Sequence, residues 1–145
     1  MAEVTVDDHS VRVLVIEDDP NDRDLLLRQL RKSGMDSHVK FISDGREALN
    51  FLTTSIHREL IAIFLDLRLP GLSGLELLQQ LRQRDELHHL PVIVMTSSND
   101  PKDLQECQRL RVINYVSKPV SFSAFYKAVA DVFHLPKTNT AHDAP

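Results

Sequence analysis

The sequence is poor in the residues on which several common kinds of site depend. Its 145 residues include one cysteine, four glycines and no tryptophan. The single cysteine, Cys107, excludes an internal disulfide and a cysteine-based zinc site, and its place in a predicted helix indicates a small packing residue. The four glycines do not form the glycine-rich phosphate loops of nucleotide-binding proteins. Any chemistry of this chain must therefore depend on other side chains.

Long apolar runs and an excess of positive charge are also missing. No apolar stretch approaches the length of a membrane span, and the N-terminus lacks the basic and apolar pattern of a signal peptide. The formal net charge is −4, which argues against a surface dominated by nucleic-acid binding. These observations predict one domain in the cytoplasm, with neither a membrane nor nucleic acid as a direct partner.

What is present is a fivefold alternation of apolar runs and amphipathic segments. Strands are predicted over residues 11–16, 39–42, 61–66, 91–95 and 114–117, and a helix is predicted after each of them. Asp19 is the natural N-cap of the first helix, because Pro20 suits the position that follows a cap. The alternation predicts an α/β fold, a doubly wound parallel sheet with helices on both faces.

The most informative stretch is the third predicted strand, where five apolar residues run from Ile61 to Leu65 and end at Asp66. A run without alternation is typical of a central strand that is covered on both faces. Ligands of open α/β sheets bind at the carboxyl ends of the strands. An aspartate also commonly begins a turn, so Asp66 alone does not decide between a structural and a functional role.

Other polar residues follow the remaining strands and so gather at the same edge. They are Glu17, Asp18 and Asp19 after the first strand, Thr96 and Ser97 after the fourth, and Lys118 and Pro119 after the fifth. Each has a simple structural explanation, as a helix cap or an exposed lysine, but their coincidence at one edge favours a common function. Clustered carboxylates repel unless a cation neutralises them, and Mg²⁺ accepts carboxylate oxygens. The set predicts an aspartate that receives a phosphoryl group, with Mg²⁺, a lysine and a hydroxyl balancing the charge.

Four motifs at these strand ends resemble the receiver domain of two-component response regulators. They are VIEDD at 15–19, LDLRLPGLSG at 65–74, MTS at 95–97 and YVSKP at 115–119, in the family's order and spacing. The resemblance covers about residues 11–134 and implies the flavodoxin-like five-stranded parallel sheet of order 2-1-3-4-5. Residues 1–10 and 135–145 are then expected to be a flexible lead-in and a C-terminal tail.

The resemblance also implies a role for each site residue. Asp66 would be the phospho-acceptor, and Thr96 and Lys118 would contact the phosphoryl group. The metal ligands would be Glu17, Asp18 and Asp66 with the backbone carbonyl of Arg68, and the switch residues would be Thr96 and Tyr115. A cis peptide bond is expected before Pro119. The implied function is that of a signalling protein rather than an enzyme, which a sensor histidine kinase phosphorylates to drive a conformational switch.

A narrower resemblance concerns the kinase. The segments 48–52, 96–100 and 118–122 are similar to those of single-domain regulators paired with bacterial and cyanobacterial phytochromes. This implies a phytochrome as the partner kinase. Arg68 is bulkier and more basic than the Asn or Met often found at its position, which would change the dephosphorylation rate or the access of the metal.

Two further functions are left open by the residues. A hydrolase of the haloacid dehalogenase type also places an aspartate nucleophile at a strand end, but it needs a second acid where this chain has Arg68. A receiver-like scaffold would bind partners without phosphorylation. Turnover of a phosphoester would distinguish the hydrolase, because a receiver only labels itself from a small phosphodonor.

The last prediction concerns self-association. Receivers commonly pair through the face built from the fourth helix, fifth strand and fifth helix, and the fifth helix carries more aromatic residues than one buried stripe needs. Phe122, Phe125, Val129 and Val132 fit its core face, whereas Tyr126 and Phe133, two turns apart, share another face. One interpretation is that Tyr126 packs peripherally and Phe133 ends the core. The other, which we expect, is a symmetric homodimer that uses this second face, with the tail from Leu135 lying along it.

Overall fold

The computed structural model describes residues 10–54, 60–97 and 100–133, and within them it contains a five-stranded sheet and five α-helices. The strands are β1 (Val13–Ile16), β2 (Val39–Ile42), β3 (Ala62–Asp66), β4 (Val92–Thr96) and β5 (Asn114–Ser117). The helices are α1 (Pro20–Lys32), α2 (Gly45–Thr54), α3 (Gly74–Arg82), α4 (Pro101–Arg109) and α5 (Phe122–Phe133). A short 3-10 turn, Asp36–His38, precedes β2 and was not predicted.

All strands of the sheet run parallel, in the order β2-β1-β3-β4-β5. This confirms the predicted topology. Every residue of β1 and β3 is buried, as expected for central strands that are covered on both faces. The order reverses between β1 and β3, and the crevice beside such a reversal is where ligands bind in open α/β sheets.

Successive strand residues point into two separate hydrophobic layers, because side chains alternate along a strand. One layer contains Leu14 and Leu65 with residues of α2, α3 and α4. The other contains Val15 and Phe64 with residues of α1 and α5. Helices therefore cover both faces of the sheet, as predicted.

The helices begin where their capping residues place them. The side chain of Asp19 accepts hydrogen bonds from two N–H groups of the first turn of α1, which confirms its predicted role as N-cap. Ser73 and Glu76 form a reciprocal capping box at the start of α3, and Asp100 caps α4 directly before Pro101. These caps fix where the loops of the carboxyl edge end.

The predicted strand ends differ from the structure by one or two residues. β1 begins at Val13 rather than Val11, although Val11 is buried, and β4 extends to Thr96 instead of ending before it. The lead-in up to residue 9 and the tail from residue 134 lie outside the described residues. Within the described ranges, no helix combines the length and apolar character needed to cross a membrane.

Helix α5 has the predicted division of its residues. Phe125 is fully buried and stacks on Phe64 with ring centroids 4.7 Å apart, and Val129 is also buried. Phe122 and Val132 are partly buried against the same layer. Tyr126 is 51% exposed, and the centroid of its ring lies 6.1 Å from that of Phe122. The side chain of Phe133 is outside the described residues.

An arginine clamp closes the opposite end of the sheet from the predicted site. The guanidinium of Arg82, at the end of α3, donates hydrogen bonds to the carbonyls of His88 and Leu90 before β4 and to those of Leu110 and Arg111 after α4. Burial, with the nearby charge of Arg111, lowers the pKa of Arg82. The clamp therefore joins the end of α3 to the two connections that precede β4 and β5.

Candidate functional site

The carboxyl ends of four parallel strands bring the predicted site residues together. β1 leads into Glu17 and Asp18, β3 and β4 end in Asp66 and Thr96, and β5 leads into Lys118. An open cleft of about 450 Å³ is lined by residues that include Asp18, Asp66, Thr96 and Lys118. The structure therefore brings the predicted residues together at one place, although they span 101 positions from Glu17 to Lys118.

Asp66 is held on both sides of its carboxylate. It is only 3% exposed, as the last residue of a central strand. Its Oδ1 accepts a hydrogen bond of 2.9 Å from the backbone N–H of Arg68, and its Oδ2 accepts one of 2.7 Å from the ammonium of Lys118. These contacts fix the carboxylate in one orientation while its neighbours line the open cleft.

A close approach of the backbone supports the same residue from behind. Gly74 begins α3, and a Cβ added there would lie 2.1 Å from the carbonyl oxygen of Asp66 and 2.6 Å from the Cα of Leu67. The N–H of Gly74 also donates to the carbonyl of Leu67 at 3.1 Å. The helix can approach the acceptor strand this closely because glycine has no side chain.

Glu17 is a second buried carboxylate of the site. It is 3% exposed, and its Oε2 accepts hydrogen bonds of 3.0 Å from both the N–H of Asp19 and the ammonium of Lys118. Burial, aided by the charge of Asp66, raises the pKa of Glu17 to about 7 despite these hydrogen bonds, which lower it. Near neutral pH the protonated and ionised forms of this group are therefore both populated, and a nearby cation would favour the ionised form.

Lys118 is the central cation of the site. Its peptide bond to Pro119 is cis, as expected, and its N–H donates to the carbonyl of Thr96 at 3.1 Å. Burial alone would lower the pKa of Lys118, but the hydrogen bonds and charges of Asp66 and Glu17 raise it above its usual value. The side chain is thus a permanent positive charge at the cleft.

The donor set of the cleft fits a hard divalent cation. Oxygens of Glu17, Asp18 and Asp66 lie within 4.8 Å of one another, and Asp18 is exposed to solvent. Three carboxylates exceed the single charge of Lys118, and Mg²⁺ is commonly bound by a few carboxylates and several waters. The predicted carboxylate ligands are therefore gathered as a cation would require.

Thr96 and Tyr115 both line a second groove, next to α4. This groove has a volume of about 440 Å³ and is also lined by Leu104. The hydroxyl of Tyr115 donates to the carbonyl of Leu104 at 3.4 Å, and burial raises the pKa of Tyr115. Because Thr96 lines both this groove and the cleft of Asp66, it connects the cleft to the groove of Tyr115.

Comparison with known sequences decides the family. Residues 13–130 match the response regulator receiver domain. The chain belongs to this family. Receiver domains of response regulators are signalling modules, and the receiver described here has their five-stranded sheet and their acidic strand ends.

The receiver is similar to two regulators of comparable length and to part of a much longer protein. It is 30% identical over 126 residues to a probable methanogenesis regulatory protein, FilR2, of Methanothrix harundinacea, which covers 83% of this chain and 79% of that protein. It is 30% identical over 124 residues to the response regulator Rcp1 of Synechocystis sp., covering 83% of this chain and 84% of that one. The sensory/regulatory protein RpfC of Xanthomonas campestris matches at 30% identity over 85% of this chain, which makes up 16% of that protein.

Solved structures of response regulators are also similar to this chain. The structure of the bacteriophytochrome response regulator AtBRR superposes with a TM-score of 0.71 at 38% identity, covering 85% of this chain and 93% of that chain. The structure of the Mn²⁺-bound form of Rcp1 has a TM-score of 0.70 at 28% identity, with coverage of 89% and 97%. The predicted resemblance to regulators associated with phytochromes is therefore confirmed as a similarity.

One contact of the site was missed from the sequence. The ammonium of Lys118 also lies 3.5 Å from Oδ2 of Asp22, in the first turn of α1. As the acidic residue of the first turn, Asp22 also lies near the positive end of the helix. The signal was its spacing, because Asp22 precedes the buried Leu26 and Leu30 by four and eight residues and so shares their face.

Proposed function

We propose that this receiver is a single-domain response regulator that accepts a phosphoryl group on Asp66. The observation that carries the proposal is the setting of this carboxylate, which is buried, paired with Lys118 at 2.7 Å and adjacent to two further carboxylates. A sensor histidine kinase would supply the group. An oxygen of Asp66 would attack the phosphorus of a phosphohistidine, the P–N bond would break, and the histidine nitrogen would leave with the electron pair.

The residues around Asp66 would each contribute to this transfer. Glu17, Asp18 and Asp66 would hold Mg²⁺, with the backbone carbonyl of Arg68 as a further ligand. The existence of a Mn²⁺-bound form of the similar regulator Rcp1 supports this assignment. When bound, the metal would neutralise charge on the transferring group. Lys118 would pair with the phosphoryl oxygens, since its ammonium already contacts Asp66.

Thr96 and Tyr115 would convert phosphorylation into a change of shape. The hydroxyl of Thr96 would hydrogen-bond the new phosphoryl oxygens, and Tyr115 would readjust in the groove that the two residues share. This is a population shift between two states, which the added hydrogen bonds bias. Arg68, exposed at the cleft, would modulate access to the acyl phosphate.

The experiment that tests the proposal is metal-dependent self-labelling. Acetyl phosphate with Mg²⁺ should add one phosphoryl group to the wild type, detected by intact mass. Chelation should prevent the labelling, and Asp18→Ala should slow it at least tenfold, because charge on the transferring group would no longer be neutralised. Asp24→Asn, an exposed change on α1, is the matched control and should label normally. Normal labelling of Asp18→Ala in chelator would contradict the metal site.

The kinase and the location of the protein follow from the same proposal. Similarity to the bacteriophytochrome response regulators AtBRR and RtBRR, at 38% and 36% identity, favours a phytochrome as the kinase. Signalling with such a kinase would take place in the cytoplasm, through protein contacts rather than through nucleic acid or a membrane. Phosphotransfer profiling against the sensor kinases of the source organism would test the pairing, and transfer only from kinases without a phytochrome module would refute it.

The two alternative functions receive less support. A hydrolase would need a second acid two residues after Asp66, and that position holds the exposed side chain of Arg68. A scaffold independent of phosphorylation would not need the buried ion pair of Asp66 and Lys118. We therefore propose a signalling role without catalytic turnover of external phosphoesters.

Self-association through α4, β5 and α5 is proposed as part of this function. Tyr126 is 51% exposed on α5 and would supply an aromatic contact to a second copy. Tyr126→Ala should weaken the dimer about tenfold in sedimentation equilibrium. Leu25→Ala is the matched control, because Leu25 is 48% exposed but lies on α1, outside this face. A wild type that stays monomeric at high concentration, with and without phosphorylation, would refute the dimer.

A further inference from the structure

Lys118 has a third acidic neighbour that the proposed function does not use. Its ammonium contacts Asp66 at 2.7 Å, Glu17 at 3.0 Å and Asp22 at 3.5 Å. The side chains of Lys118 and Asp22 are 13% and 22% exposed, so solvent screens this pair less than it would screen a pair on the open surface. Asp22 thus lies close enough to influence where the ammonium is held.

The position of Asp22 is fixed by the packing of α1. Asp22, Leu26 and Leu30 are spaced by four residues and lie on one face of the helix. Leu26 and Leu30 are buried in the layer that α1 shares with α5. The carboxylate is therefore anchored in the first turn of a packed helix, at the same edge as the site.

Asp22, unlike the other two carboxylate partners of Lys118, is not among the proposed metal ligands. Among the described residues, the carboxylates close enough together to share a cation are those of Glu17, Asp18 and Asp66. Glu17 and Asp66 would consequently both bind the metal, and Asp66 would also carry the phosphoryl group. Asp22 stands outside that set and can remain an acceptor for the ammonium throughout the transfer.

We propose that Asp22 is a positioning residue for Lys118, which keeps the ammonium at the cleft when Glu17 and Asp66 are engaged elsewhere. This inference rests on the proposed function. Lys118 is a long side chain with several rotatable bonds, and a fixed partner on α1 restricts the directions in which it can point. Without Asp22 the ammonium is less often in place to meet the transferring group, so the transfer is slower.

The size of the effect follows from the kind of contact. Exposed and partly exposed ion pairs have modest coupling, the upper part of which corresponds to about a threefold to fivefold change in a rate. We expect Asp22→Asn to slow labelling by acetyl phosphate at saturating Mg²⁺ by about that factor. Asp22→Glu restores the charge and should recover most of the rate. Asp24→Asn, which makes the same charge change at an exposed site of α1, should leave the rate unchanged.

A double-mutant cycle tests whether Asp22 acts through Lys118. In a Lys118→Met background, which we expect to label slowly, adding Asp22→Asn should change the rate by less than about twofold, because the ammonium to be positioned is gone. The Mg²⁺ concentration for half-maximal rate should be the same in the wild type and in Asp22→Asn. If Lys118→Met does not fold, as judged by its thermal transition, the comparison of Asp22→Asn, Asp22→Glu and Asp24→Asn decides alone.

The outcomes separate this inference from the function on which it rests. A wild type that does not label refutes the proposed function itself. A wild type that labels while Asp22→Asn keeps the full rate, or loses the same factor with and without Lys118, overturns the positioning role alone. A half-saturating Mg²⁺ concentration that rises more than about threefold in Asp22→Asn would place Asp22 in the metal site instead, and it would also overturn the inference.

Discussion

Asp66→Asn is expected to abolish phosphorylation completely. The amide has no anionic oxygen to attack phosphorus, and the substitution also removes the carboxylate that Lys118 contacts at 2.7 Å. After incubation with acetyl phosphate and Mg²⁺, intact mass should show one added phosphoryl group on the wild type and none on Asp66→Asn. Stoichiometric labelling of Asp66→Asn would mean that another residue is the acceptor.

Thr96→Ala is the informative comparison for this result. Thr96 lines the same cleft but contributes no carboxylate, so its loss should leave the phosphoryl acceptor intact. The Thr96→Ala protein should accept one phosphoryl group, yet lose the phosphorylation-dependent change in affinity for its partner. If Thr96→Ala keeps that change in full, the switch lies elsewhere. If Asp66→Asn binds the partner as phosphorylated wild type does, the scaffold function is favoured.

Gly74→Ala is expected to have the largest effect on stability. The added Cβ would lie 2.1 Å from the carbonyl oxygen of Asp66, and that neighbour is backbone rather than a flexible side chain. Either β3 or the start of α3 must shift, which we expect to cost about 3 kcal/mol of unfolding free energy. The thermal midpoint should fall by roughly 10 °C.

Gly34→Ala provides the control for this prediction. Gly34 has a φ of +72°, but a Cβ there would meet nothing within 4 Å. The cost should be the left-handed backbone penalty alone, about 1 kcal/mol. Equal losses of stability in Gly34→Ala and Gly74→Ala by chemical denaturation would show that close packing against Asp66 is not the cause.

Much of the fold could be predicted because local signals and tertiary structure agree in this chain. β2 and β5 have the predicted bounds, and Asp19 and Pro20 start α1 as their types suggest. Fully apolar runs are typical of central strands in a sheet that is covered on both faces, and β1 and β3 are such strands. The 3-10 turn at Asp36–His38 was missed because a segment of three residues has no hydrophobic period to detect.

The contacts that support the site were harder to predict, because they depend on how distant segments meet. Glu17 and Lys118 were placed at the correct edge from their strands, but the burial that raises the pKa of Glu17 arises only after the sheet and helices assemble. Gly74 belonged to a recognised motif, yet its closeness to the backbone of Asp66 depends on the packing of α3. The sequence did not distinguish Arg82 from an ordinary surface arginine. Its four carbonyl partners lie in the connections before β4 and after α4, and they meet Arg82 only in the folded chain.

The arginine clamp makes the two ends of α4 mechanically unequal. Its C-terminal cap, Leu110, is tied through Arg82 to the segment before β4, and hydrogen bonds from a charged donor contribute about 1.5–3 kcal/mol each. The N-terminal end follows the strand that carries Thr96. A rearrangement that begins at Thr96 would therefore rotate α4 about its C-terminal end at Leu110, and the N-terminal end would move most. The helix is about 13 Å long, so a rotation of about 10° would move its far end by about 2 Å. Changes in amide exchange on phosphorylation should accordingly diminish from Lys102 toward Leu110.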